Sequence, residues 1–79
     1  MRLSVDESDV GYSKKAFGSK VYLNGREVSK VITADEEEGY ILRYKTDEKG
    51  GFIPIYGGGK LYDIETEELY GDVKIMLSE

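Results

Sequence analysis

The sequence predicts an all-β domain, a small antiparallel barrel or compact two-layer sandwich of about six short strands joined by hairpins. Three observations lead there. Tyrosine and β-branched residues recur in short segments divided by glycine and acidic clusters, as in "VYLNGREV" and "YILRYKT". Asn24-Gly25 lies between two such segments, and that pair suits a two-residue hairpin turn whose central residues both take positive φ. No stretch sustains the 3.6-residue apolar period of an amphipathic helix.

Taken in order, "DESDVGYSKKAFGSK" is expected to be a long loop or one short helical turn, with Tyr12 and Phe17 as anchors. Lys20–Leu23 and the segment from Arg26 form the hairpin around Asn24-Gly25. In the second arm, "REVSKVITA", Val28 and Val31 are three apart, so a bulge near Ser29-Lys30 is expected to restore the inward face. "DEEEG" breaks the chain. "YILRYKT" then alternates, with Tyr40, Leu42 and Tyr44 on one face and Ile41, Arg43 and Lys45 on the other. "DEKGG" is the next turn and "FIPIY" the next strand, placed at an edge or bulge because Pro54 cannot donate to a ladder. The final stretch, "KLYDIETEELYGDVKIML", reads as a hairpin. Lys60–Ile64 pairs through a turn at Glu65–Glu68 with Leu69–Leu77, and Val73, Ile75 and Leu77 point inward. Closing such a sheet also hides its edges.

The 79 residues form one domain, 1–79, which buries only about 60% of its unfolded surface. The chain has no cysteine and no histidine, so disulfides, thiolate metal sites and the commonest general base are excluded. Stability must come from apolar packing, sheet closure or association. The N-terminal "MRLSVDESDV" turns acidic after five residues and does not read as a secretory signal. No apolar run approaches the roughly 20 residues that span a bilayer, so no membrane partner is expected. Residues 1–34 hold six basic residues against four acids, a net of +2; residues 35–79 hold five against twelve, a net of −7. At −5 overall, direct nucleic-acid binding is disfavoured.

Several stretches invite a chemical reading. "GGGKL" lacks the spacing, the hydroxyl residue and the following helix of a phosphate loop, so it is expected to be an inter-strand loop. "DESDVG" fails the calcium-loop pattern, with Val10 and Phe17 where oxygen ligands belong. The run Asp35, Glu36, Glu37 and Glu38 is expected to splay along a solvated turn. With Glu65, Glu67 and Glu68 it makes a candidate acidic rim for protein contact. Seven tyrosines exceed what a small core takes up, and Tyr56 and Tyr62, flanking the glycine loop, are the aromatic contact candidates. The six serines have no histidine to activate them, and no catalytic residue, metal or cofactor is expected.

The pattern "NGREVSKVITADEEEGYILRYKTDEKG" followed by "ETEELYGDVKI" resembles small β-rich proteins encoded in tailed-phage and prophage genomes, over residues 20–77. "GGFIPIYGGGK" departs from that pattern. Many such proteins have no assigned role, so no functional residue carries over. The resemblance implies a virion-associated or accessory protein, found in the host cytoplasm or the virion. Its partner would be itself, a virion component or a host defence enzyme. The leading expectation is a nonenzymatic protein-binding domain. The alternative is an acidic inhibitor of a host defence enzyme, of anti-CRISPR or anti-restriction type, that blocks a basic nucleic-acid channel.

Overall fold

The computed structural model describes residues 1–77, the side chain of Tyr62 excepted. Its β-strands are β1 (Arg2–Ser4), β2 (Lys20–Leu23), β3 (Arg26–Val28), β4 (Val31–Asp35), β5 (Tyr40–Tyr44), β6 (Pro54–Gly57), β7 (Lys60–Ile64), β8 (Thr66–Tyr70) and β9 (Val73–Met76). All pairings between them are antiparallel, in three sheets ordered β1-β4-β5-β8, β3-β2-β9 and β6-β7. The all-β expectation holds, with nine short strands among the described residues in place of about six.

The core follows from period-two alternation. Leu3, Ala34, Ile41 and Leu69 are successive partners across β1, β4, β5 and β8, and so share the inner face. Val21 and Val73 from the three-stranded sheet join Ala34 and Ile41 in one buried cluster, with Leu23, Val28, Val31 and Ile75 packed around it. Ile41 is fully buried, at 0% exposure. Such a side chain contributes roughly 1.5–3 kcal/mol by leaving water. With so few buried residues, each one matters.

Asn24 and Gly25 take φ of 51° and 84°, as the hairpin turn requires. Asn24 also tethers the chain between β8 and β9: its N–H donates to the Asp72 carbonyl at 2.8 Å, and its Oδ1 accepts from the Asp72 N–H at 2.9 Å.

Several expectations need correction. Ser29-Lys30 is not a bulge within one strand; Lys30 takes φ of 58° and the chain passes there from one sheet to another. The register shift instead falls between Val31 and Thr33. Glu65–Glu68 is not a turn. Lys60–Ile64 pairs back on Pro54–Gly57, Thr66–Tyr70 lies along β5, and β9 pairs with β2. The acidity of "ETEELY" hid its alternation: Glu67 and Leu69 are partly buried, whereas Thr66, Glu68 and Tyr70 are exposed. Of the three residues expected inward near the C-terminus, Val73 is buried, Ile75 is half-buried and Leu77 is exposed. Phe17 is 60% exposed, more than an anchor would be, although the alternative, a short helical turn, exists as a 3-10 turn at Lys14–Ala16.

The glycine stretch is a hairpin turn. Gly58 and Gly59 take φ of 61° and 79°, and β6 and β7 form a two-stranded arm paired with neither larger sheet. The arm's root is fixed by Glu65 N–H to Ile53 carbonyl and Lys45 N–H to Glu65 carbonyl bonds, both 2.8 Å, and by Phe52 edge-on to Tyr44 at 5.4 Å. Pro54 opens this ribbon, consistent with an edge position.

Ile41→Val is expected to lower unfolding free energy by about 1 kcal/mol and Ile41→Ala by about 2–5 kcal/mol, read as graded shifts of the urea midpoint. Equal small shifts would mean that Ile41 is not central to the core.

Candidate functional site

The residue next to each inner-row position faces the other way. Arg2, Asp35, Tyr40 and Tyr70 are therefore successive partners on the outer face of β1, β4, β5 and β8. A second outer row holds Ser4, Thr33, Leu42 and Glu68. Residues 11–13 run along the free edge of β1, where Ser4 and Tyr12 form a parallel bridge, and the loop between reaches side chains of this face, Asp6 N–H donating to Ser4 Oγ at 3.0 Å. Ser4 N–H donates to the Gly11 carbonyl at 3.0 Å, and Ser13 N–H donates to the Ser4 carbonyl at 3.2 Å. Ser4 and Thr33 are buried beneath, with their hydroxyls 2.8 Å apart. The β5–β8 half stays open, and Tyr70 is 66% exposed.

Arg2 ties the loop after β1 to the end of β4. Its Nε and Nη2 donate to the two carboxylate oxygens of Asp9 at 2.9 and 2.7 Å, and its Nη1 reaches Asp35 Oδ2 at 3.4 Å. Asp9 also accepts from Gly11 N–H at 2.7 Å. Asp35 Oδ1 accepts from Glu37 and Glu38 N–H at 2.9 and 3.0 Å, fixing the turn into β5. The Arg2 hydrogen bond, then the Gly11 N–H, hold the Asp9 carboxyl down from 3.8 to about 2. Asp35 is also lowered, first by the Glu38 N–H and further by Arg2 and the Glu37 N–H.

The open half is built around two rings. Tyr40 and Tyr70 stand 5.6 Å apart, tilted by 53°. A close backbone approach places them: Gly71 N–H donates to the Gly39 carbonyl at 3.0 Å. A Cβ on Gly39 would lie 2.6 Å from the Gly71 oxygen, and φ there is +63°, so only glycine fits without distortion. Tyr70 O–H donates to Glu68 Oε2 at 2.6 Å, and that bond is the main cause of the raised Tyr70 pKa. Tyr40 is raised as well, first by burial and then by the Glu68 charge. Together Arg2, Val10, Asp35, Glu38, Tyr40, Glu68 and Tyr70 line a cleft of about 580 Å³. Val10, on the loop after β1, is 96% exposed at its rim.

The acidic residues expected to act together are thus divided. Asp35 is 8% exposed, not splayed into water, because it caps the turn and pairs with Arg2. Glu36 lies 3.6 Å from the N-terminal ammonium and accepts from Ile75 N–H at 2.9 Å. Glu37 is exposed, 3.7 Å from the same ammonium. Glu67 is held by Arg43 at 2.8 Å, and Glu65 serves the arm's root through its backbone. Glu38 and Glu68, thirty positions apart, both line the cleft, on opposite sides of the Tyr40–Tyr70 rung. Tyr56 is exposed on the arm, away from the cleft lining, and the Tyr62 side chain lies outside the described residues.

Sequence reasoning missed Tyr40, Tyr70, Arg2 and Val10 as site residues. A signal was available in "EEEGY" and "EELYG", where each tyrosine adjoins a glycine and follows glutamates, but reading it needed the β5–β8 pairing. A second cavity of about 290 Å³ opens onto the core between Leu3, Val21, Val28, Val31 and Phe17, with Glu27, Ser29 and Lys30 also on its wall. Among the described residues no group of three or more acidic side chains is placed to hold a metal ion. Compared with family models, curated proteins and solved structures, the chain matches none of them.

Both Asp9 and Asp35 titrate lower in the folded chain, so the folded state binds fewer protons than the unfolded one. Their stabilisation is complete above the unfolded carboxylate value near 4 and is lost as pH falls toward about 2. The urea midpoint is expected to drop over that interval. Asp9→Asn should lower the midpoint at pH 7 and flatten the acid-side decline; an unchanged decline would remove Asp9 as its source.

Proposed function

We propose that this chain is a nonenzymatic protein-binding domain, phage-encoded and virion-associated or accessory, that acts through the open half of its outer sheet face. The observation that carries the reading is the Tyr40–Tyr70 pair, set on regular strands beside Glu38 and Glu68 and rimmed by the exposed Val10. Tyrosines held rigidly at a surface supply large contact area at low entropic cost, with a hydrogen-bonding tip for specificity. A chain without histidine or cysteine lacks the usual activating groups for nucleophilic catalysis. We read the two larger sheets as facing layers of a sandwich, whose shared core holds this face flat and in place. The resemblance of residues 20–77 to small phage proteins supplies the biological setting and nothing about individual residues.

The acidic-inhibitor reading is weaker. A nucleic-acid mimic needs a long file of unneutralised carboxylates, since duplex DNA carries one charge per about 1.7 Å. Here Asp9 and Asp35 share the one charge of Arg2, Glu67 is paired with Arg43, and Glu36 sits beside the N-terminal ammonium. What is left in the cleft is a short acidic patch joined to aromatic surface. Such a patch suits one protein contact better than a whole nucleic-acid channel.

The test is affinity capture of the tagged chain from phage-infected bacterial cells, with bound proteins identified at low and high salt. A partner retained at high salt is expected, because an aromatic contact is screened less than a purely ionic one. Tyr70→Ala should reduce its recovery about tenfold while Tyr56→Ala leaves it unchanged, both variants keeping the wild-type circular dichroism. A host enzyme released entirely by salt would favour the inhibitor reading. Capture lost with Tyr56→Ala and kept with Tyr70→Ala would move the contact to the arm.

A further inference from the structure

Arg2 displays a complete recognition unit for a guanidinium. Asp9 grips it through two parallel hydrogen bonds at 2.9 and 2.7 Å, and its central carbon stands 6.0 Å from the centroid of the Tyr40 ring. Carboxylate fork and aromatic face are the two surfaces that a planar cation recognises. The open half of the cleft presents the same parts again, in Tyr70, Glu68 and Glu38, with Tyr40 shared between the two sets.

In this second set, no basic side chain among the described residues pairs with either glutamate. The Tyr70 hydroxyl donates to Glu68 Oε2 and holds that carboxylate beside its own ring, leaving Oε1 to accept from elsewhere. Charge favours a cation despite the nearby Arg2. The cleft lining holds one basic residue against three carboxylates, Asp35, Glu38 and Glu68, and Asp9 offsets Arg2 from behind.

We propose that the cleft binds an arginine side chain of a partner protein, its guanidinium lying on Tyr70 and bonded to Glu68, its aliphatic stem along Val10, with Glu38 adding negative charge at the cleft wall. This rests on the protein-binding reading above and names the chemistry that the partner must present. Arginine is preferred to lysine because its planar head can stack on the ring while bonding the Glu68 carboxylate beside it, whereas an ammonium acts as a compact point charge.

The test is a ¹⁵N–¹H NMR titration of the full chain with acetyl-Gly-Arg-Gly-amide, alongside peptides carrying lysine or the neutral isostere citrulline at the centre. The arginine peptide is expected to bind in the millimolar range, with shifts concentrated at Val10, Glu38, Tyr40, Glu68 and Tyr70. Lysine should bind about threefold more weakly and citrulline at least tenfold more weakly. Tyr70→Leu and Glu68→Gln should each weaken the arginine peptide about five- to tenfold, and Glu48→Gln, in the distant 47–51 turn, should not. Equal binding of citrulline would overturn the proposal. So would equal weakening by Glu48→Gln and Glu68→Gln, which marks diffuse attraction, or the absence of shifts at both tyrosines. A cleft indifferent to arginine, in a chain whose partner capture still depends on Tyr70, would end this inference alone. A chain that captures no partner would end the broader reading.

Discussion

A guanidinium held between two carboxylates ties this small domain together. Arg2 belongs to the edge strand β1, Asp9 to the loop that follows it, and Asp35 to the end of β4. β1 and β4 are anchored in the core by Leu3 and Ala34, whereas the loop carrying Asp9 exposes its one large apolar side chain, Val10. Each carboxylate also accepts backbone N–H groups, from Gly11 in one case and from Glu37 and Glu38 in the other. One cation therefore orients both the loop and the turn that bring Val10, Glu38 and Tyr40 to the cleft. A surface pair is ordinarily worth about 0–1 kcal/mol. The consequence of this network is better measured in geometry than in total stability.

Order and openness are divided between the two faces of the four-stranded sheet. Its inner row, Leu3, Ala34, Ile41 and Leu69, is apolar and packs on Val21 and Val73. Its outer row begins with a satisfied ion pair at Arg2 and Asp35 and ends with an exposed aromatic ring at Tyr70. The core fixes strand positions, the glycine contact between Gly39 and Gly71 fixes ring spacing, and the open end of the row meets solvent. The β6–β7 arm differs. It exposes Ile55, Tyr56 and Leu61, yet tertiary contact at its root, near Phe52, Tyr44 and Glu65, is what joins it to the body. A binding surface on regular, packed strands holds its geometry better than one on a projecting ribbon.

Much of the fold was legible because local chemistry sufficed. Asn24-Gly25 forces its turn, "YILRY" alternates, and Gly58-Gly59 makes a plain reversal. The failures came where long-range pairing decides. "ETEELY" reads as an acidic turn until β5 lies beside it and Glu67 meets Arg43. β1 is only three residues long and is stabilised by partners thirty positions away, so no local pattern announces it. The site was half legible. Glu38 and Glu68 stood out as acids, but nothing along the chain joins them to Tyr40 and Tyr70 or separates them from Asp35 and Glu67, which are held in ion pairs.

The most direct test is to replace the cation and follow the backbone it is said to organise. In Arg2→Met, amide shifts and hydrogen-exchange protection would be compared with the wild type, residue by residue. The amides of Gly11, Glu37 and Glu38 should shift and lose protection together, with those of Tyr40 and Val10 perturbed and that of Ile41 still protected. Changes confined to residues 1–4, with the loop and the turn unaltered, would show that Arg2 is a surface ornament and that the cleft is shaped by something else.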